Sequence, residues 1–218
     1  MPFSGDYSGY ELDTSFIEES HHTNPRRLYS TYGADWQYRV DHERMRRERL
    51  DRARAEMIAD DMGAIVVFAG ANVRYLTGSY QGNWKYNINI RYAVLPREGE
   101  PYLFETAGSD MHNARLDLPW MKDRIRPAMT WQWAEGAVSE MADKMVASVM
   151  EVLKEHGVEK EKIGVDNLDF PALHAFEKAG LRIVNGWPAM SRARVVKTND
   201  EIEQIKMSAS IGDAAMWH

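Results

Sequence analysis

Cysteine is missing from all 218 residues. Disulfides, thiolate-ligated zinc, iron-sulfur clusters and thiol nucleophiles are thereby excluded, and any metal would need His and carboxylate ligands. Long apolar runs are missing as well. The longest, Ala64 to Ala71, is about one buried strand in length, against the ~18 apolar residues that a membrane span requires. Met1 to Tyr10 carries neither a basic nor an apolar stretch and does not read as a signal peptide, so a cytoplasmic location is the expectation. Nor is there a surplus of positive charge. With 27 Lys+Arg against 33 Asp+Glu, a net charge of −6, nucleic acid and membrane surfaces are poor partners. What is present is a 44% hydrophobic content over a length that suits one large domain, or one domain with a fragment of another.

One local exception to the acidic balance stands out. Arg44, Arg46, Arg47, Arg49, Arg52 and Arg54 fall within eleven residues, with Asp41, Glu43, Glu48 and Asp51 among or just before them. Helical spacing of Met45, Leu50, Ala53, Met57 and Ile58 gives this segment a buried stripe. Alternating signs predict a solvated, ion-paired face, and an anion-binding patch is the alternative.

Residues 1–40 lack periodicity and read as an extended, Tyr-rich arm containing His21 and His22. Beyond the arginine helix, Gly63 acts as a stop and Ala64 to Ala69 predicts a buried strand. Asn72 to Gly78 predicts a short strand, and Ser79 to Asn89 a loop. Arg91 to Glu105 predicts a hairpin turning at Gly99. A short helix over Ser109–Leu116 and a short strand over 124–126 follow. Val138, Met141, Met145, Val149, Val152 and Leu153 mark a helix that ends at Gly157. Then come a strand at Lys162–Asp166, a helix at Phe170–Ala179 and a strand at 181–184. This alternation predicts an α/β layered domain. Near Arg194 to Thr198 a boundary is expected. Thr198 followed by Glu201 forms a capping-box pattern that opens a final helix through Ile202, Ile205, Ala209 and Ile211.

No self-sufficient catalytic motif is present: no G-x-S-x-G elbow, no phosphate loop and no H-E-x-x-H helix. His42, His112, His156, His174 and His218 lack i, i+4 partners, and Asp110 with His112 is the one pair that suggests metal ligation. Asp60-Asp61 and Glu18-Glu19 read as solvated carboxylates. The segment carrying Tyr80, Trp84 and Tyr86, followed by Arg91, has the composition of a recognition loop whose Arg would grip a carboxylate. The bland alternative packs Trp84 on the surface and places Arg91 in a structural ion pair.

Three segments together resemble the N-terminal domain of the creatinase/prolidase, or pita-bread, metalloenzymes. They are the arginine helix through the strand to Asn72-Val-Arg-Tyr-Leu-Thr-Gly78; Arg91-Tyr-Ala-Val-Leu-Pro-Arg-Glu-Gly-Glu-Pro-Tyr-Leu-Phe104; and Arg194-Val-Val-Lys-Thr-Asn-Asp-Glu-Ile202. The resemblance implies a mixed sheet flanked by helices over 41–193, and a linker with the first helix of a truncated pita-bread catalytic domain over 194–218. It also implies a homodimer in which this domain caps the active site. The divalent metal, Mn, Fe, Co or Zn, would sit in the absent catalytic domain, with no metal ligand and no catalytic residue in this chain. Arg91 would contact the carboxylate of a small-molecule or dipeptide substrate, with Trp84, Tyr86 and Tyr80 as further substrate-binding candidates. Among family chemistries, Xaa-Pro peptide hydrolysis is the first expectation. The arm, the crowded arginines and the Trp84 segment are similar to the dimethylsulfoniopropionate lyases of this fold. Creatinase-type amidinohydrolysis and a non-enzymatic dimerisation or binding module complete the alternatives.

Overall fold

The computed structural model describes residues 40–79 and 90–217. Along the chain run α1 (His42–Ala59), β1 (Met62–Val67), α2 (Gly70–Thr77), β2 (Tyr92–Pro96), β3 (Tyr102–Glu105), α3 (Ser109–Asp117), β4 (Ile125–Pro127), α4 (Val138–Glu155), β5 (Lys162–Val165), α5 (Phe170–Lys178), β6 (Arg182–Asn185), α6 (Trp187–Val195) and α7 (Asn199–Trp217). None of the described helices is long and apolar enough to cross a membrane. These residues divide into two compact units, 46–196 and a second made of 40–45 with 197–217.

Within 46–196 the strands form one mixed sheet in the order β4-β3-β2-β1-β5-β6. β1 is buried at all six positions, so it needs cover on both faces. It pairs antiparallel with β2 and parallel with β5, the antiparallel hairpin continuing to β3. The two-residue period of the strand sorts the core. Ala64 and Val66 join Met145, Val149 and Val152 of α4 and Phe176 of α5 on one face. Ile65 and Val67 join Leu50, Ala53 and Met57 of α1, Leu76 of α2 and Met190 of α6 on the other. On the α4 face the rings of Phe68, Tyr92, Phe104 and Trp131 interlock, Tyr92 stacking on Phe104 at 4.6 Å. Each of these large rings removes enough apolar surface from water to contribute about 2–3 kcal/mol before entropy is counted.

Two sequence expectations need correction, and one helix goes beyond them. Ile58 is 60% exposed, because a step of about 100° per residue carries it away from the sheet-facing position of Met57. Asn72 to Gly78 lies in helix α2, whose C-terminus is closed by Gly78 in the left-handed region at φ 75°. Its buried positions Val73, Leu76 and Thr77 recur at three- and four-residue intervals, a pattern too short to outvote the β-branched Val73 and Thr77 when read alone. α6 occupies the stretch before the expected boundary, opened by Pro188 in its first turn.

In the smaller unit the capping box forms as its sequence predicts. Glu201 N–H donates to Thr198 Oγ1 at 3.1 Å, and Thr198 N–H donates to Glu201 Oε2 at 2.8 Å. Asp200 accepts from Asp41 N–H at 2.9 Å and from Arg44 Nε and Nη2 at 2.9 and 2.8 Å, so the first turns of α1 and α7 are joined by a charge-assisted fork. The Arg44 guanidinium holds the Asp200 carboxyl below its ordinary range. Ile202, Ile205 and Ile211 of α7 are 40–52% exposed.

Gly99, at the hairpin turn, has φ +113°, and a Cβ there would lie 2.5 Å from His156 Cε1. Gly99→Ala combines backbone strain with a clash against a ring, and is expected to cost about 1–3 kcal/mol. Thermal unfolding measures this, and an unchanged Tm would refute it.

Candidate functional site

Two polar clusters are built into the apolar interior of the larger unit. The first follows from the antiparallel pairing of β2 with β3, which sets Tyr92 opposite Phe104 and brings the residues flanking that pair, Arg91 and Glu105, side by side. Both are buried, 4% exposed, and Arg91 Nη2 stands 2.7 Å from Glu105 Oε2. The same Nη2 donates to Ser79 Oγ at 2.6 Å, and Thr77 Oγ1 donates to Ser79 Oγ at 2.8 Å. Glu105 also accepts from Thr106 N–H at 3.0 Å. Burial lowers the Arg91 pKa against the raising influence of Glu105, and burial raises the Glu105 pKa against the lowering influence of Arg91. Desolvation therefore outweighs the attraction at both partners, the usual balance for an ion pair closed off from water.

The second cluster centres on Asp166, which follows β5 at the carboxyl end of the parallel pair. Its carboxylate accepts from Phe68 N–H at 2.7 Å, from Ala69 N–H at 3.2 Å and from Asn72 Nδ2 at 2.8 Å. Those amides lie where β1 turns into α2, so the anion also faces a helix N-terminus. Burial raises the Asp166 pKa, opposed by these donors. Asn72 Oδ1 in turn accepts from Arg194 Nη1 at 2.9 Å, and Tyr75 Oη donates to the Ala193 carbonyl at 2.8 Å. The Asn and Tyr of the Asn72–Gly78 motif thus bind the helix that carries Arg194. That is why the first and third resemblance segments, distant in sequence, meet in space.

The arginines of α1 engage partners well beyond the interleaved acids. Arg46 lies over the Trp120 ring at 4.1 Å and Arg49 over the Tyr75 ring at 5.2 Å. Arg52 donates to the Val196 carbonyl, Arg54 to the Gly99 carbonyl, and Arg54 is 3.6 Å from Asp51. Among the described residues no three His, Asp or Glu side chains converge as metal ligands, so they do not fit a divalent metal. Asp110 and His112 gain no third ligand among the described residues. His156 stands 3.3 Å from Tyr102 Oη, whose hydroxyl donates to Glu155. His174 is exposed.

Of the substrate-binding candidates, Arg91 is placed in a buried ion pair, while Tyr80, Trp84 and Tyr86 lie outside the described residues. Glu105 and Asp166 were missed from sequence. Each closes an apolar strand with a carboxylate, and that abrupt change of polarity was the available signal. Trp131 is buried and donates through Nε1 to Asp169 at 2.8 Å, while Asp169 caps α5 through Ala172 N–H.

This arrangement, a mixed six-stranded sheet bearing the two linked motifs, is matched over residues 49–196 by the Creatinase/Prolidase N-terminal domain family model, and the chain belongs to that family. Two curated relatives are similar at the sequence level. The dimethylsulfoniopropionate lyase DddP of Roseovarius nubinhibens is 25% identical over 183 residues, 82% of this chain and 41% of that protein. DddP of Roseobacter denitrificans is 24% identical over 174 residues, 79% of this chain and 38% of that protein. The chain thus spans about two-fifths of the length of these relatives. Among solved structures, a Xaa-Pro dipeptidase from Bacillus anthracis superposes with a TM-score of 0.55 at 17% identity, covering 79% of this chain and 42% of that one, a likeness of fold.

Removing one member of the buried pair strands the other. Arg91→Ala is expected to cost about 3–5 kcal/mol, and the double change Arg91→Met with Glu105→Leu to recover most of it. Urea denaturation of the three proteins tests this, and equal losses in single and double variants would refute it. A pH dependence follows as well. Because the folded-state pKa of Glu105 is raised above its ordinary 4.5, the group's stabilisation is complete below that value and is lost as pH rises through the folded pKa. Wild type should therefore lose stability relative to Glu105→Gln on going from acid to neutral pH. Parallel melting curves for the two would contradict the raised pKa.

Proposed function

We propose that this chain is the N-terminal domain of a two-domain, metal-dependent enzyme acting on a small substrate that bears a carboxylate, and that the reaction is the elimination of dimethylsulfoniopropionate. The observation that carries this reading is the sequence likeness to two lyases over about four-fifths of the chain, which extends beyond the 49–196 family match. In the proposed elimination a base removes a proton from the carbon next to the carboxylate. The freed electron pair forms the carbon-carbon double bond of acrylate, the carbon-sulfur bond breaks, and dimethyl sulfide leaves with its electrons. The divalent metal and the base belong, in this reading, to the following domain. The domain described here would cap the active site within a homodimer.

Arg91 has a specific part in this proposal. Its guanidinium joins Ser79 and Glu105, and so fixes both flanks of the segment that carries Tyr80, Trp84 and Tyr86. Arg91 would thus act as a positioning residue, with those three aromatics as candidates for substrate contact.

Xaa-Pro dipeptide hydrolysis is the second reading, favoured by the fold likeness to the Bacillus anthracis dipeptidase. The deciding experiment uses the native gene product, loaded in turn with Mn, Fe, Co and Zn. Each form is assayed for dimethyl sulfide and acrylate from dimethylsulfoniopropionate, for proline from Xaa-Pro dipeptides and for creatine hydrolysis. Dimethyl sulfide and acrylate in equal amounts are expected. Proline release alone would establish the peptidase, and creatine turnover the amidinohydrolase. No turnover by a native protein with an intact mass of 25.1 kDa would make the chain a binding module.

A further inference from the structure

A groove lies between α4 and α5 on the surface of the larger unit. Both helices connect parallel strands, so they run side by side in the same sense. At the N-terminal end, Asp143 of α4 meets Phe170, His174 and Lys178 of α5 around a cavity of about 330 Å³. Towards the C-terminal end, Val146, Ala147 and Met150 meet Lys178 and Ala179 around an adjoining, largely apolar cavity of about 300 Å³. Asp143 and Lys178 belong to both cavities and pair across the middle at 2.6 Å.

Along this groove an apolar projection, an ion pair and an apolar hollow follow in order. Phe170 is the projection, 78% exposed at the first position of α5. Its backbone is fixed, because Asp169 before it caps the helix through Ala172 N–H and holds Trp131 Nε1 at 2.8 Å. Covering this ring would remove apolar surface from water with little ordering of the chain beneath it. The hollow is walled by small alanines and by Met150, whose pliable thioether suits it to receive a ring. The order of these features is self-complementary. A two-fold axis through the Asp143–Lys178 pair exchanges the ends of the groove. It lays Phe170 of each copy over the hollow of the other and sets each Asp143 near the opposite Lys178.

We propose that this groove binds a second copy of the chain, through a two-fold contact in which α4 and α5 of one copy lie on α4 and α5 of the other. The occupant follows from the complementarity: the groove carries both halves of each contact, projection with hollow and acid with base, so the surface that satisfies it is its own. Ser139 to Met150 spans about 18 Å of helix, and a contact of that length falls at the small end of specific interfaces, so association is expected to rise with concentration. The contact does not rest on the capping arrangement proposed above.

The test places the photo-reactive amino acid p-benzoylphenylalanine at position 170 of the full-length protein and irradiates a mixture of heavy-isotope-labelled and unlabelled protein at increasing concentration. Mass spectrometry then identifies the linked peptides. Mixed-isotope links from position 170 to the Val146–Met150 segment are expected, and their yield should rise with concentration. Lys178→Asp should abolish them, since only acids would then meet at the axis, and Asp143→Lys combined with Lys178→Asp should restore them. Both side chains are open to solvent, where an ion pair contributes little to the fold, so loss followed by rescue cannot come from unfolding. No link, links confined to one chain, mixed-isotope links only to other segments, as a homodimer held by capping alone would give, or links undiminished in Lys178→Asp would overturn the proposal.

Discussion

Where β1 ends, the amides of Phe68 and Ala69 must find partners in an interior closed to water, and the Asp166 carboxylate supplies them. A central strand covered on both faces can stop only if its last polar groups are satisfied. An unpaired buried amide would cost about 1–3 kcal/mol. The same anion sits at the start of α2 and receives Asn72, so one side chain ends β1, begins α2 and orients an amide. Through Asn72 the constraint passes to Arg194, and through Tyr75 to Ala193, fixing the helix that leads out of the sheet domain. The family motifs are thus the visible ends of one hydrogen-bonded network.

Charge is used in two ways in the larger unit. Arg91 and Glu105 are withdrawn from water and held by pairing, hydrogen bonds and strand register, which makes them costly to disturb one at a time. The arginines of α1 remain partly exposed and spend their cationic character on tryptophan and tyrosine faces and on backbone carbonyls. The first arrangement gives fixed geometry near the 79–91 boundary residues. The second ties α1 to the rest of the larger unit through contacts that need no carboxylate.

Much of the fold was legible in the sequence because its signals are local. The α4 stripe, the hairpin around Gly99, the helix from Phe170 and the Thr198–Glu201 cap each depend on residues a few positions apart, and each forms as the pattern requires. The α2 segment misled because five of its residues are buried, as they would be in a strand, and eight residues are too few for helical periodicity to show. Ile58 misled because an apolar residue at helical spacing is credited with burial that only the orientation of the sheet can grant. For the candidate site, Arg91 was singled out from sequence with both readings open. The choice between a ligand-gripping and an ion-paired guanidinium depended on Glu105, which lies across a strand pair.

By itself the sequence determined an α/β chain without thiols, its family, most element positions and the concentration of arginine on one helix, because composition, periodicity and short motifs act within a few residues. Tertiary structure alone decided which charges meet which partners. That depends on strand register and helix placement, which set Arg91 against Glu105, Asp166 against the end of β1, and Arg46 with Arg124 around a single tryptophan. The contacts of Arg91 with Glu105, of Arg46 with Trp120 and of Phe68 with Asp166 join residues 14, 74 and 98 positions apart, and no local pattern encodes their energies.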